Sequence, residues 1–209
     1  DSGDISANNI YSKLLDSMLK KGEPGVIFSS DSNYICDCCN AAQLKPEEGL
    51  TLAHINLAKF YNPNTNMCDC NYLKYAADML HNAMNNIDKN AYIGILGYQE
   101  LINKMGLRYG STEALNVLED CLKVIKLSNI KMAISPTSTT SKRLNVTSGI
   151  NPNYEVSYID EMNTMAAAQK YLEGGISKTI KLKEGSSKKD VDFIIRYCLN
   201  NGIKGITVF

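Results

Sequence analysis

Five thiols crowd into two short stretches of this chain: Cys36, Cys38 and Cys39 in "NYICDCCNAAQL", and Cys68 and Cys70 in a second "CDC". Sulfur at that density serves a disulfide framework, a metal site, or a redox or radical centre. Two thiolates from each triplet would give zinc a tetrahedral set of four sulfurs. The spacing opposes it, because near-adjacent side chains in an extended C-x-C splay away from one ion, and common zinc knuckles leave two or more residues between ligands. No metal site is therefore expected, and a Cys-ligated metal module ranks third among the functional readings. Cys121 and Cys198 fall in apolar helical segments, where cysteine is a small hydrophobe.

A second chemistry sits in "SPTSTTSKR", where Pro136 leads into Thr137, Ser138, Thr139, Thr140 and Ser141, followed by Lys142 and Arg143. Hydroxyls, backbone amides and two cations would serve a phosphate well, above all if the amides open a helix. The plain alternative is a solvated Ser/Thr linker. His54 and His81 are the only histidines. They lack metal spacing with each other and read as surface or partly buried polar residues.

The bulk composition narrows the choice. A chain of 209 residues buries a core without cross-links. Its seven cysteines are odd in number and clustered, and no apolar signal segment precedes them, the pattern of a reducing compartment and hence of a cytoplasmic protein. Lys plus Arg equal Asp plus Glu at 22 each, so no bulk attraction to nucleic acid follows. The apolar runs are shorter than a membrane span requires. The ends, Asp1 and an apolar run closing on Phe209, suggest a piece of something longer.

The elements that must position these residues follow from periodicity. Ser6 is expected to cap a helix with Ile10, Leu14, Leu15 and Met18 on one face and Gly22 as its stop. "GVIFSS" reads as a short buried strand. Helices are expected over 71–87, over 96–104 with Gly106 as terminator, and after Ser111. "IKMAISP" reads as a strand feeding the hydroxyl-rich stretch, taken as a loop. A helix follows over 158–172. The closing unit, "ISKTIKL", a Ser187/Asp190 capping box, a helix to about Leu199 and "GITVF", is a βαβ crossover. Strands alternating with helices predict an α/β fold with a largely parallel sheet.

Read in order, "GEPGVIF", "INLAKF", "GILGYQELINKMGLRYGSTEAL", "MAISPTSTTS", "VTSGINP", "AAAQKYLEGGISKTIKL" and "NGIKGITVF" resemble the C-terminal half of the ribonucleotide reductase large subunit. "ISKTIKL" and "GIKGITVF" look most like the class II, adenosylcobalamin-dependent enzymes. The resemblance implies that residues 1–209 form the C-terminal part of a ten-stranded α/β barrel with parallel strands and crossover helices. It implies thiyl-radical reduction of ribonucleotides to deoxyribonucleotides. Adenosylcobalamin is then the expected cofactor and a ribonucleotide the substrate. The N-terminal half of the barrel, on the same gene or a second chain, is the expected partner, with self-association allowed and neither membrane nor nucleic acid engaged.

Residue by residue, the match puts the family's radical cysteine at Cys39, on a loop inside the barrel. Sulfur suits that role because an S–H bond is close in strength to a ribose C–H bond, so hydrogen transfer runs both ways at modest cost. The family's Asn-Pro-Cys-Gly-Glu falls on Asp37, Cys38, Cys39, Asn40 and Ala41, which keeps Asp37 beside the thiol in the catalytic set but replaces the general base Glu by a methyl group. Leu50 stands where one reductive cysteine is usual. The phosphate-binding segment matches Pro136, Thr137, Ser138, Thr139 and Thr140, with Ser138 in place of a glycine. The losses at Ala41 and Leu50 raise a second reading, a catalytically silent relative that binds nucleotides or a true reductase subunit.

Overall fold

The computed structural model describes residues 5–29, 35–37, 39, 41–45 and 50–209. Cys38 and Asn40 lie outside them. In chain order the elements are α1 Ile5–Lys21, β1 Val26–Ile27, β2 Ile35–Cys36, β3 Gln43–Leu44, β4 Leu52–Asn56, a 3₁₀ turn Leu57–Phe60, β5 Tyr61–Asn62, β6 Met67–Cys68 and α2 Cys70–Asn85. They continue as β7 Tyr92–Leu96, α3 Tyr98–Lys104, α4 Thr112–Lys126, β8 Lys131–Met132, α5 Ser138–Leu144, α6 Tyr158–Gln169, β9 Thr179–Ile180, α7 Lys188–Asn200 and β10 Gly205–Val208.

β4, β7 and β8 form a parallel sheet with β7 in the centre. A parallel bridge from Ile134 to Ile176 continues it towards β9, which pairs parallel with β10. β1 closes the far edge antiparallel to β10. The α/β class and the parallel sheet are as expected; the described residues do not form a ten-stranded barrel. Parallel neighbours need helical crossovers, and α7 supplies the one between β9 and β10 as the sequence predicts, opened by the reciprocal Ser187/Asp190 capping box.

The helices cover one face of the sheet. Ile55, Ile93, Ile95, Met132 and Ile134 point into a core shared with Leu73, Ala77, Leu118, Cys121, Leu122, Met162 and Met165. Leu52, Tyr92 and Ala133 alternate to the opposite face, where they pack with Ala41, Ala42 and Leu44. Cys39 packs on that second face.

Several local expectations are corrected. Ser6 lies inside α1 rather than capping it, and Ile10 is exposed while Leu15 and Met18 are buried. "GVIFSS" contributes only Val26 and Ile27 as strand, and Ile27 is exposed. Leu96 ends β7, and the helix starts at Tyr98, because the chain turns at Gly97 with φ of 73°, a conformation that favours glycine. Ile87 lies past the end of α2 and is exposed. The hydroxyl-rich stretch from Ser138 is not a loop but the helix α5.

Candidate functional site

Cys39 sits in the turn between the antiparallel strands β2 and β3. Asp37 builds that turn. Its Oδ1 accepts hydrogen bonds from the amides of Ala41 and Ala42, each at 2.8 Å, and its Oδ2 accepts one from the Cys39 thiol. Short acidic side chains do this readily, because the carboxylate reaches amides a few residues on and replaces backbone pairing. The sequence assigned Asp37 to the catalytic set; the geometry gives it the work of fixing where the sulfur stands.

Backbone hydrogen bonds help anchor the turn to the sheet. Gly175 N–H donates to the Ala41 carbonyl at 2.8 Å, Gly174 N–H to that of Met132 at 2.8 Å, and Ile134 N–H to that of Gly175 at 3.0 Å. A Cβ at Gly174 would overlap the Ala41 carbonyl oxygen and the Ala133 side chain. "EGG" therefore marks a close approach of two chain segments. Ala41 and Ala42 are fully buried, and Leu50 packs against the same cluster as Cys39. The methyl and isobutyl groups at Ala41 and Leu50 thus stand in apolar surroundings.

From Cys39 and Pro136 an open cleft of about 1040 Å³ runs past Asn151, Tyr154, Lys178 and Thr207. Thr137 to Thr140 lie beyond its Pro136 end. Thr137 is buried, and its hydroxyl and amide both donate to Ser148 Oγ, at 2.9 and 3.0 Å. The Thr137 hydroxyl is thus committed inside the protein. Ser138, Thr139 and Thr140 are exposed, and no side chain caps α5. The first turn of α5 is thus made of three exposed hydroxyl residues.

Ser148 is held in turn. The Glu100 carboxylate of α3 accepts the Thr147 amide at 3.0 Å and the Thr147 hydroxyl at 2.8 Å, and Gly97 N–H donates to the Thr147 carbonyl at 2.9 Å. The sequence reading passed over this relay, although "GYQE" and "VTSGINP" both stood out within the resemblance.

Two further groupings were missed. His54 on β4 shares a 2.6 Å hydrogen bond with Ser135, and burial lowers the imidazole pKa. The period of two puts both residues on the face that carries Cys39, and the His54 ring lies across Gly94, where a Cβ would press on it. A glycine in the middle of the all-apolar "YIGIL" was the available signal. In the wall of the cleft, Lys178 Nζ donates to Glu161 at 2.7 Å and to Asn151 at 2.9 Å, with both charged side chains buried. Desolvation lowers the Lys178 pKa despite the carboxylate. Only the periodicity of β9, with Ile176 and Ile180 in the core, signalled that Lys178 points inward.

Among the described residues no three His, Cys, Asp or Glu side chains are arranged to hold a metal ion, and none of their helices is long and apolar enough to cross a membrane. Cys198 is buried, and burial pushes its thiol up to about 12. The sulfurs of Cys68 and Cys121 lie 3.5 Å apart.

The fold is a helix-covered parallel sheet with a thiol-bearing turn on its open face. It is similar to that of the alpha subunit of the class Id ribonucleotide reductase of Actinobacillus ureae, with a TM-score of 0.74 and 15% identity over all of this chain and 62% of that one. This chain thus spans less than two thirds of the solved subunit, which is of class I; the likeness to class II rests on the sequence alone. No protein-family profile and no curated protein matches the sequence.

Proposed function

We propose that this chain is a portion of a ribonucleotide reductase catalytic chain, active once the remaining barrel strands are supplied by the same gene or a second chain. The carrying observation is the Cys39 turn, with a thiol pinned by Asp37 at the mouth of the cleft on the open face of the sheet, within a fold like that of a reductase alpha subunit. Cys39 is the hydrogen-atom carrier to and from the ribose. The uncapped start of α5, with Ser138, Thr139 and Thr140, receives the substrate phosphates, and Thr137 holds that edge in place through Ser148. Each charge-assisted hydrogen bond there contributes about 1.5–3 kcal/mol.

Adenosylcobalamin is the expectation carried by the sequence resemblance. The reading needs no step through that cofactor.

A second reading has its own observation. Ala41 and Leu50 leave an apolar wall where the family places a base and a thiol, which favours a silent, nucleotide-binding relative. The full-length gene product, given ribonucleoside di- or triphosphate, a dithiol and a radical source, separates the two. Deoxyribonucleotide that disappears in Cys39→Ala supports the first; ribonucleotide binding without product supports the second. Absence of binding removes both.

A further inference from the structure

The second "CDC" belongs to a thiol group far in sequence from the Cys39 turn. Cys68 ends β6, on the hairpin it forms with β5, and is half-buried. Cys121 lies in the middle of α4 and is fully buried. Their sulfurs are 3.5 Å apart across 53 positions of sequence, with the Cys121 thiol donating. Cys70, the first residue of α2, is a third, half-buried thiol beside Cys68. The pair is chemically unequal. The hydrogen bond from Cys121 lowers the Cys68 pKa against burial and the neighbouring Asp69, whereas the bond to Cys68 and then burial raise that of Cys121. A half-buried cysteine that ionises more easily thus stands in contact with a buried, protonated partner.

We propose that Cys68 and Cys121 form a reversible intramolecular disulfide when the protein meets a hydroperoxide. The Cys68 thiolate attacks a peroxide oxygen; an S–O bond forms, the O–O bond breaks, and hydroxide leaves and takes up the proton that Cys68 had released. The Cys121 sulfur, giving up its proton, then attacks the Cys68 sulfur; the S–S bond forms, the S–O bond breaks, and water leaves. In sum, two thiols and one hydrogen peroxide give one disulfide and two waters, and a dithiol reverses the change. The bond ties the β5–β6 hairpin to α4, and the Cys39 turn takes no part.

The test treats the reduced, desalted full-length protein with one equivalent of hydrogen peroxide, blocks free thiols with N-ethylmaleimide, and maps tryptic peptides by mass spectrometry. Residues 60–74 carry Cys68 and Cys70, and residues 109–123 carry Cys121. The expected product is these two peptides joined, two hydrogens lighter than their sum and heavier by one N-ethylmaleimide on Cys70; the joined pair is retained without that adduct in Cys70→Ser, lost in Cys68→Ser and reversed by dithiothreitol. Cys68 should react about tenfold or more faster than the buried Cys198. Cys68→Ser changes a half-buried side chain, and an unchanged circular dichroism melt establishes that its loss of the product is not unfolding. A Cys68–Cys70 bond, a product that needs two molecules, or oxidation of Cys68 no faster than of Cys198 overturns the proposal.

Discussion

Cys39 and Pro136 line the same cleft, yet the turn that carries the one and the α5 edge that follows the other are held in opposite ways. The turn is held from within: Asp37 satisfies two amides of its own segment and the thiol it presents. The α5 edge is held from outside, through Ser148, Thr147 and the Glu100 carboxylate on another helix. The proposed roles fit this contrast: a hydrogen-carrying thiol would gain from a short, local brace, and a phosphate-binding edge would need its own hydroxyls and amides left open.

The difference is breakable at chosen points. The largest expected effect is on the buried pair in the wall of the cleft, where Lys178→Met leaves the buried Glu161 without its ion-pair partner and costs about 3–5 kcal/mol in urea unfolding; adding Glu161→Leu should recover part of it. Asn151 loses a partner in the same change, so the α5 side should loosen first in hydrogen exchange. Next, Gly174→Ala forces a side chain against the Ala41 carbonyl and should cost about 1–3 kcal/mol, with the Cys39 alkylation rate changed and the α5 amides unmoved.

Smaller changes sharpen the contrast. Asp37→Ala removes the brace of two amides and should cost about 0.5–2 kcal/mol, the range for a lost side-chain cap, and speed Cys39 alkylation. Ser148→Ala frees the Thr137 hydroxyl and amide, should cost about 0.5–1.5 kcal/mol, and should weaken ribonucleotide binding while leaving Cys39 alkylation alone. Equal effects of both variants on both readouts would contradict separate supports.

The smallest effect is a pH slope. Burial holds the folded His54 pKa below its ordinary 6.5, so below that pH the unfolded chain takes up the proton first. His54 therefore lowers stability as pH falls from about 6.5 through its folded pKa, and nothing is lost above 6.5. His54→Gln should flatten that part of the unfolding free energy measured against pH.

The sequence was legible where one local pattern decides the outcome. Ser187 and Asp190 announce α7, Ser111 announces α4, and the apolar period of α2 announces its buried face. It failed where tertiary partners decide. The run from Ser138 to Leu144 has the polarity of a loop, yet its helix is docked through Thr137, which bonds a serine 11 positions away, and through the buried Ser141. The Cys68–Cys121 contact joins a hairpin to a helix 53 positions on, beyond any local pattern. Asp37 was noticed for its place beside the thiol, while its bonds to Ala41 and Ala42 exist only once the turn has closed.

One measurement bears most directly on the central claim that this chain brings a hydrogen-carrying thiol and a phosphate-binding edge to one cleft. It is ribonucleotide binding and reduction by the full-length gene product, compared between the unaltered protein, Cys39→Ala, and the triple change of Ser138, Thr139 and Thr140 to Ala. The account predicts that Cys39→Ala binds ribonucleotide within about twofold and forms no deoxyribonucleotide, and that the triple change weakens binding by about tenfold or more without abolishing it, because the α5 amides remain. Reduction that survives the loss of Cys39, or binding indifferent to the three hydroxyls, would contradict it.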